Sequence, residues 1–135
     1  MVKTYTVVKD DYDNAGKVSS DIKRTLKQLG LDRKVLKAVA IASYEAEINI
    51  AIHSDGGTVT FELDDDGTVR LKFDDIGPGI EDLEKAMTPG YSTASTEARN
   101  LGFGAGMGLY NMKSVATTFN ISSDKNGTHI QMEFR

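Results

Sequence analysis

The sequence predicts an α+β two-layer sandwich: a mixed, mostly antiparallel sheet carrying about three helices on one face. Three observations lead there. Apolar residues recur at helical spacing through residues 18–50, and two alternating runs flank an Asp-Asp-Asp-Gly turn at 64–67. A second pair of alternating runs, joined across 124–127, closes the chain. The resulting order, strand, two helices, hairpin, helix, hairpin, is that of helices laid on an antiparallel sheet.

Thr4, Tyr5, Thr6, Val7 and Val8 are β-prone and predict a first strand, followed by a polar loop at 10–16. Val18, Ile22, Leu26 and Leu29 then mark a helix, with Gly30 at its C-terminal cap. Asp32 is the expected N-cap of a second helix carrying Val35, Leu36, Val39, Ala40, Ala42, Ala46 and Ile50. Apolar over much of its circumference, that helix should be packed on more than one side. A hairpin over 58–63 and 68–73 follows, then a glycine-rich loop at 74–80. Residues 81–103 mix a short helical stretch with Ser, Thr and Gly. Met107, Leu109, Met112, Val115 and Ala116 predict a third helix starting in or just after residues 102–108, and strands at 121–123 and 128–134 end the chain.

A chain of 135 residues fits one domain, expected to span 1–135. Charged residues make up 27% and the net charge is −4 with both signs interspersed, so no basic stripe marks a nucleic-acid binder. There is no cysteine, which excludes disulfides, thiol catalysis and cysteine-ligated metals. No apolar run approaches the roughly 20 residues that cross a bilayer, and the amino terminus lacks the apolar core of a signal peptide. The expected location is the cytoplasm, with no membrane partner.

Four groups of residues could carry chemistry. Glu45 and Asn49 are one turn apart on one helix face. A carboxylate can take a proton from an attacking hydroxyl, and an amide oxygen can ligate Mg²⁺; alone, the pair reads as a solvated face. Asp75, with Gly77 and Gly79 behind it, follows a predicted strand. Its carboxylate could accept from an exocyclic amine such as that of adenine, while the glycines let the backbone turn close to a flat base; a plain loop is an equal reading. Gly102, Gly104, Gly106 and Gly108 alternate with Phe103, Ala105 and Met107 before Leu109 and an amphipathic helix. That pattern leaves successive N–H groups free to wrap an anion, and it matches neither the dinucleotide fingerprint nor a Walker loop. Thr128 follows Gly127 at the start of the last strand, from which its hydroxyl could reach back to a base, although Asn-Gly-Thr is equally ordinary hairpin chemistry.

In this order and spacing, E-x-x-x-N, D-x-G-x-G, G-x-G-x-G-L and G-T resemble the motifs of the GHKL, or Bergerat-fold, ATP-binding superfamily, over residues 38–134. The resemblance implies that Asn49 coordinates Mg²⁺ on the triphosphate of ATP, that Asp75 binds the adenine amine, and that Gly77 and Gly79 shape the pocket. It implies further that Gly104, Ala105, Gly106, Met107, Gly108 and Leu109 wrap the phosphates below a lid, that Thr128 supports the adenine side, and that Glu45 is the general base. Topoisomerases and mismatch-repair proteins of this superfamily carry large transducer domains, and histidine kinases carry a dimerisation helix with a phosphoacceptor histidine. Neither is expected within residues 1–135; His53 and His129 read as structural or surface positions.

The chain most resembles anti-sigma-type serine/threonine kinases of the RsbT kind, through Gly90, Tyr91, Ser92 and Thr93, the glycine run, Asn111 to Lys113 and residues 127–131. Such kinases phosphorylate a serine on a STAS-domain antagonist and, once released, activate a PP2C-type phosphatase; RsbW-type relatives hold a sigma factor, and related kinases often form homodimers. Two features depart from the pattern: a longer lid between Ser92 and Phe103, and Tyr110 where many relatives have proline. A non-catalytic ATP-dependent binding module and a detached histidine-kinase ATPase domain are the competing readings.

Overall fold

A computed structural model of the chain describes residues 1–80, 85, 87, 88 and 107–135. The elements run β1 (Val2–Val7), a 3₁₀ turn (Tyr12–Asn14), α1 (Lys17–Gln28), α2 (Arg33–His53), β2 (Gly57–Leu63), β3 (Val69–Asp75), α3 (Gly108–Val115), β4 (Thr118–Asp124) and β5 (Gly127–Phe134). The strands form one sheet in the order β1-β2-β3-β5-β4. The expected α+β architecture is present, with three α-helices among the described residues. All four strand pairings there are antiparallel, so the expected mixed component is not found among them.

Alternation sets which sheet face is covered. Val59, Phe61, Val69, Leu71, Phe73, Ile130, Met132 and Phe134 are buried, whereas their neighbours in sequence are polar and, apart from the buried Thr68, at least partly open. Side chains two apart share a face, so one face is apolar and meets the helices. Ile22 and Leu26 of α1, Val39 and Ile50 of α2 and Met112 of α3 complete the core. The other face carries polar contacts: Arg70 pairs with Asp64 and Glu133, and His129 Nδ1 hydrogen-bonds Asp74 Oδ1 at 2.7 Å.

α2 lies between α1 and α3 and also touches β1, β3 and β5, which accounts for its nearly all-round apolar sequence. Asp32 caps it as expected, its side chain accepting from the N–H of Lys34 at 2.8 Å. α1 ends on Gly30, whose φ of 75° suits a residue without Cβ. Its N-terminus has a different solution. Gly16 supplies no side-chain cap, and the carboxylate of Glu47, 4% exposed on α2, accepts instead from the N–H groups of Gly16, Val18 and Ser19 at 3.1, 3.3 and 3.1 Å. Those donors would otherwise be orphaned at the helix start, so one buried charge locks α1 to α2.

Element boundaries differ from expectation where pairing extends them. β1 starts at Val2 and ends before Val8. β3 runs through Asp75 because β2 pairs that far, Gly57 opposite Asp75. β4 begins at Thr118, drawn in by pairing with Glu133. Among the described residues no helix is long and apolar enough to cross a membrane.

Candidate functional site

The face of α2 bearing Glu45 and Asn49 meets the start of α3. Glu45 Oε1 accepts from Asn111 Nδ2 at 3.2 Å across 66 residues of chain. A Cβ on Gly108 would lie 3.3 Å from Glu45 Oε2, so the first turn of α3 rests against this carboxylate. That is a favourable place for an anion, since the first N–H groups of a helix have no internal partner and Met107 offers no side-chain cap. Asn49, one turn further along, is partly exposed, and its side chain makes no hydrogen bond among the described residues.

Asp75 ends β3, in the sheet beneath those helices. Its Oδ1 accepts from the backbone N–H of Thr128 at 2.7 Å, leaving Oδ2 for another donor. Burial pushes this carboxyl above its usual range; the Thr128 hydrogen bond acts in the opposite sense and does not cancel it. A half-buried acid held by one N–H is thus ready to accept from a second. Gly127 must approach closely for this: a Cβ there would sit 2.0 Å from the Asp75 carbonyl oxygen.

The loop after Asp75 is fastened to two neighbours. On one side the N–H of Asp55 donates to the Ile76 carbonyl at 2.7 Å, and that of Ile76 to Gly56 at 2.9 Å. On the other, the N–H of Ile80 donates to Ser123 Oγ at 2.7 Å, and Ser123 Oγ hydrogen-bonds Thr128 Oγ1 at 2.8 Å. Gly79 is wedged between, with φ 77° and a carbonyl oxygen of Asp124 where its Cβ would be, at 2.0 Å. Thr128 is 4% exposed. It therefore acts on Asp75 through its backbone, and its hydroxyl is engaged by Ser123.

Of the expected site residues, Glu45 and Asn49 share a face, Asp75, Gly77, Gly79 and Thr128 converge, and Met107 and Gly108 begin α3 against Glu45. Leu109 is 6% exposed in the core, so only its backbone is available to a ligand. Gly104, Ala105 and Gly106 lie outside the described residues, as do the 90–93 segment and the 92–103 lid. The parts played by three residues were missed. Ser123 was legible as the cross-strand partner of Thr128 once the 124–127 turn was placed; Asn111 and Glu47 act across tertiary contacts with no local signature. His53 closes α2, and burial holds its imidazole below the ordinary histidine range. A cavity of about 260 Å³ beside Val7, Val18, Ile48 and Ala51 lies on the α1 side of α2, away from Glu45. The Glu47 carboxylate in its wall is already occupied by three N–H groups.

A family model described as the histidine kinase-like ATPase domain matches residues 8–134. No curated protein matches the chain in sequence. Among solved structures, the RsbU and RsbW domains of Rv1364c from Mycobacterium tuberculosis align with a TM-score of 0.64 at 19% identity, covering 98% of this chain and 32% of that one. The chain therefore spans about a third of that relative, and the likeness is one of fold.

Proposed function

The chain belongs to the histidine kinase-like ATPase family, and from that membership we propose that it is an ATP-dependent serine/threonine kinase of a bacterial sigma-factor partner-switching pathway. Its substrate in this reading is a serine on a STAS-domain antagonist, with a PP2C-type phosphatase or a sigma factor as further partner. The observation that carries it is the meeting of Glu45 with the first turn of α3. A carboxylate stands where the family's phosphate-binding glycines end, with an uncommitted amide one turn away. A module that only binds nucleotide has no use for a base there.

The residues fit the nucleotide. Asp75 keeps Oδ2 for an exocyclic amine, and Gly79 and Gly127 lie where a Cβ would collide with backbone, so the loop can be this compact only with glycine. No group of three or more His, Cys, Asp or Glu side chains gathers to hold a metal among the described residues. Mg²⁺ commonly takes one or two protein ligands and completes its shell with phosphates and water, and the side-chain amide of Asn49 would be one such ligand. ATP with Mg²⁺ supplies the transferable phosphoryl group and neutralises its charge.

In this reading Asp75 and the 76–80 loop hold and orient the base. Asn49 would offer its amide oxygen to the cation, and the family's glycine run, ending at Gly108, would hold the phosphates. Glu45 accepts the proton of the serine hydroxyl that a partner delivers. Phosphoryl transfer rests mainly on such positioning.

The deciding experiment is calorimetric titration with ATP, with and without Mg²⁺, on the wild type and on Asp75→Asn. Mg²⁺-dependent binding that the substitution abolishes supports the reading. Wild-type protein that fails to bind ATP overturns it and favours a partner-holding adaptor.

A further inference from the structure

Glu45 does not hold its orientation alone. Its Oε1 accepts from the Asn111 side-chain amide at 3.2 Å, while Oε2 is the oxygen nearest Gly108, where a Cβ would come within 3.3 Å. The two oxygens thus have different surroundings: one is tied to a neutral donor, and the other faces the start of α3. We propose that Asn111 is a positioning residue for phosphoryl transfer, fixing the Glu45 carboxylate so that Oε2 receives the acceptor proton; the proposal rests on Glu45 being the base.

A glutamate has three rotatable side-chain bonds, and a base must be held within a few tenths of an ångström and some degrees of its productive geometry. A donor fixed to one oxygen removes most of that freedom without consuming the other. Asn111 is itself well held. Its backbone N–H donates to Met107 in the first bond of α3 at 2.8 Å, and Met112 beside it is fully buried. Asn111 lies one turn beyond Gly108, so any shift of the first turn of α3 carries the amide with it and turns the carboxylate. The base is thereby tied to the segment that follows the glycine run. In the transfer step the hydroxyl oxygen forms the new bond to phosphorus, ADP leaves with the electrons of the broken P–O bond, and the hydroxyl proton passes to Glu45 Oε2.

The test uses Asn111→Asp, nearly isosteric but lacking the donor, and Asn111→Ala. The first readout is the Asn111 side-chain amide signal by ¹⁵N–¹H NMR, in wild type and in Glu45→Gln. The expected result is a downfield proton that moves upfield when the carboxylate becomes an amide; a signal that does not move overturns the proposal. The second is phosphate release from Mg²⁺-ATP with water as acceptor. Asn111→Asp and Asn111→Ala should each lower the rate about tenfold and leave nucleotide affinity within about twofold, and neither should lower it further in a Glu45→Gln background. A full additional loss in that background, or a tenfold fall in affinity, overturns it. Where the wild type turns over no ATP with water, the same rates are read as transfer to a serine-bearing STAS domain; no transfer there sinks the kinase reading instead, while the amide signal still decides whether Asn111 holds Glu45.

Discussion

The backbone N–H of Thr128 and the carboxylate of Asp75 are 2.7 Å apart although 53 residues separate them in sequence. The acid that the family resemblance assigns to adenine is therefore shaped by the last strand as much as by its own. It has one oxygen engaged and one available, in surroundings that disfavour its charge.

Asp75→Asn should accordingly separate stability from binding. Burial raises the folded-state value of Asp75 above the unfolded one, so its favourable contribution is full below the ordinary aspartate range and is lost as pH rises through the raised value. At pH 7 the ionised group costs stability. Thermal melting should find Asp75→Asn at least as stable as wild type at pH 7, with the gap closing toward pH 4. A variant that melts well below wild type at pH 7 would contradict this account of the carboxyl.

Gly79→Ala should be far costlier than Gly30→Ala, although φ is 77° at one and 75° at the other. At Gly30 nothing lies within 4 Å of the added carbon, and the left-handed backbone alone costs about 1 kcal/mol. At Gly79 that carbon meets the Asp124 carbonyl oxygen, forcing the loop off the hairpin, and we expect a loss of about 3 kcal/mol together with ATP binding. Urea denaturation of both variants checks the contrast, and equal losses would refute it.

Glu45→Gln and Asn49→Ala should fail differently. The first should retain Mg²⁺-ATP affinity and lose about a hundredfold or more in transfer, the scale of a lost general base. The second should weaken Mg²⁺-ATP binding at least about tenfold while leaving Mg²⁺-free binding nearly unchanged. Calorimetry paired with radiolabelled transfer to a serine-bearing STAS domain separates them. Normal transfer by Glu45→Gln removes that residue from the role.

Glu47→Ala should unfold more readily for a reason unconnected with nucleotide. It strips the acceptor from the N–H groups of Gly16, Val18 and Ser19, leaving buried donors unmatched at a cost of about 3 kcal/mol. Glu47→Gln, which keeps an oxygen acceptor, should lose roughly half of that. Amide hydrogen exchange should quicken first at the start of α1. Exchange that quickens uniformly along the chain would assign Glu47 a different part.

Much of this architecture was legible because it is written locally. Helical spacing, the Asp32 cap, the Gly30 stop and the 64–67 turn each report on their own neighbourhood, and each reappears in the fold. So does the pairing of Glu45 with Asn49, a matter of helix pitch alone. What could not be read is what one element does to another. The capping of α1 by Glu47, the hold of Asn111 on Glu45 and the wedging of Gly79 under Asp124 all join residues more than 25 positions apart. No periodicity encodes such contacts. Strand ends misjudged at Val2, Asp75 and Thr118 have the same origin, since each end is decided by a partner strand.

The bond between Thr128 and Asp75, with Ser123 fastening the loop, has a consequence for how the protein is made. Asp75 leaves the ribosome ahead of residues 123 and 128, and β3 has no β5 to pair with until those residues follow. The corner around Asp75 stays unfinished until the final hairpin arrives, so on the proposed function nucleotide capture would be a late event that reports completed synthesis of that hairpin.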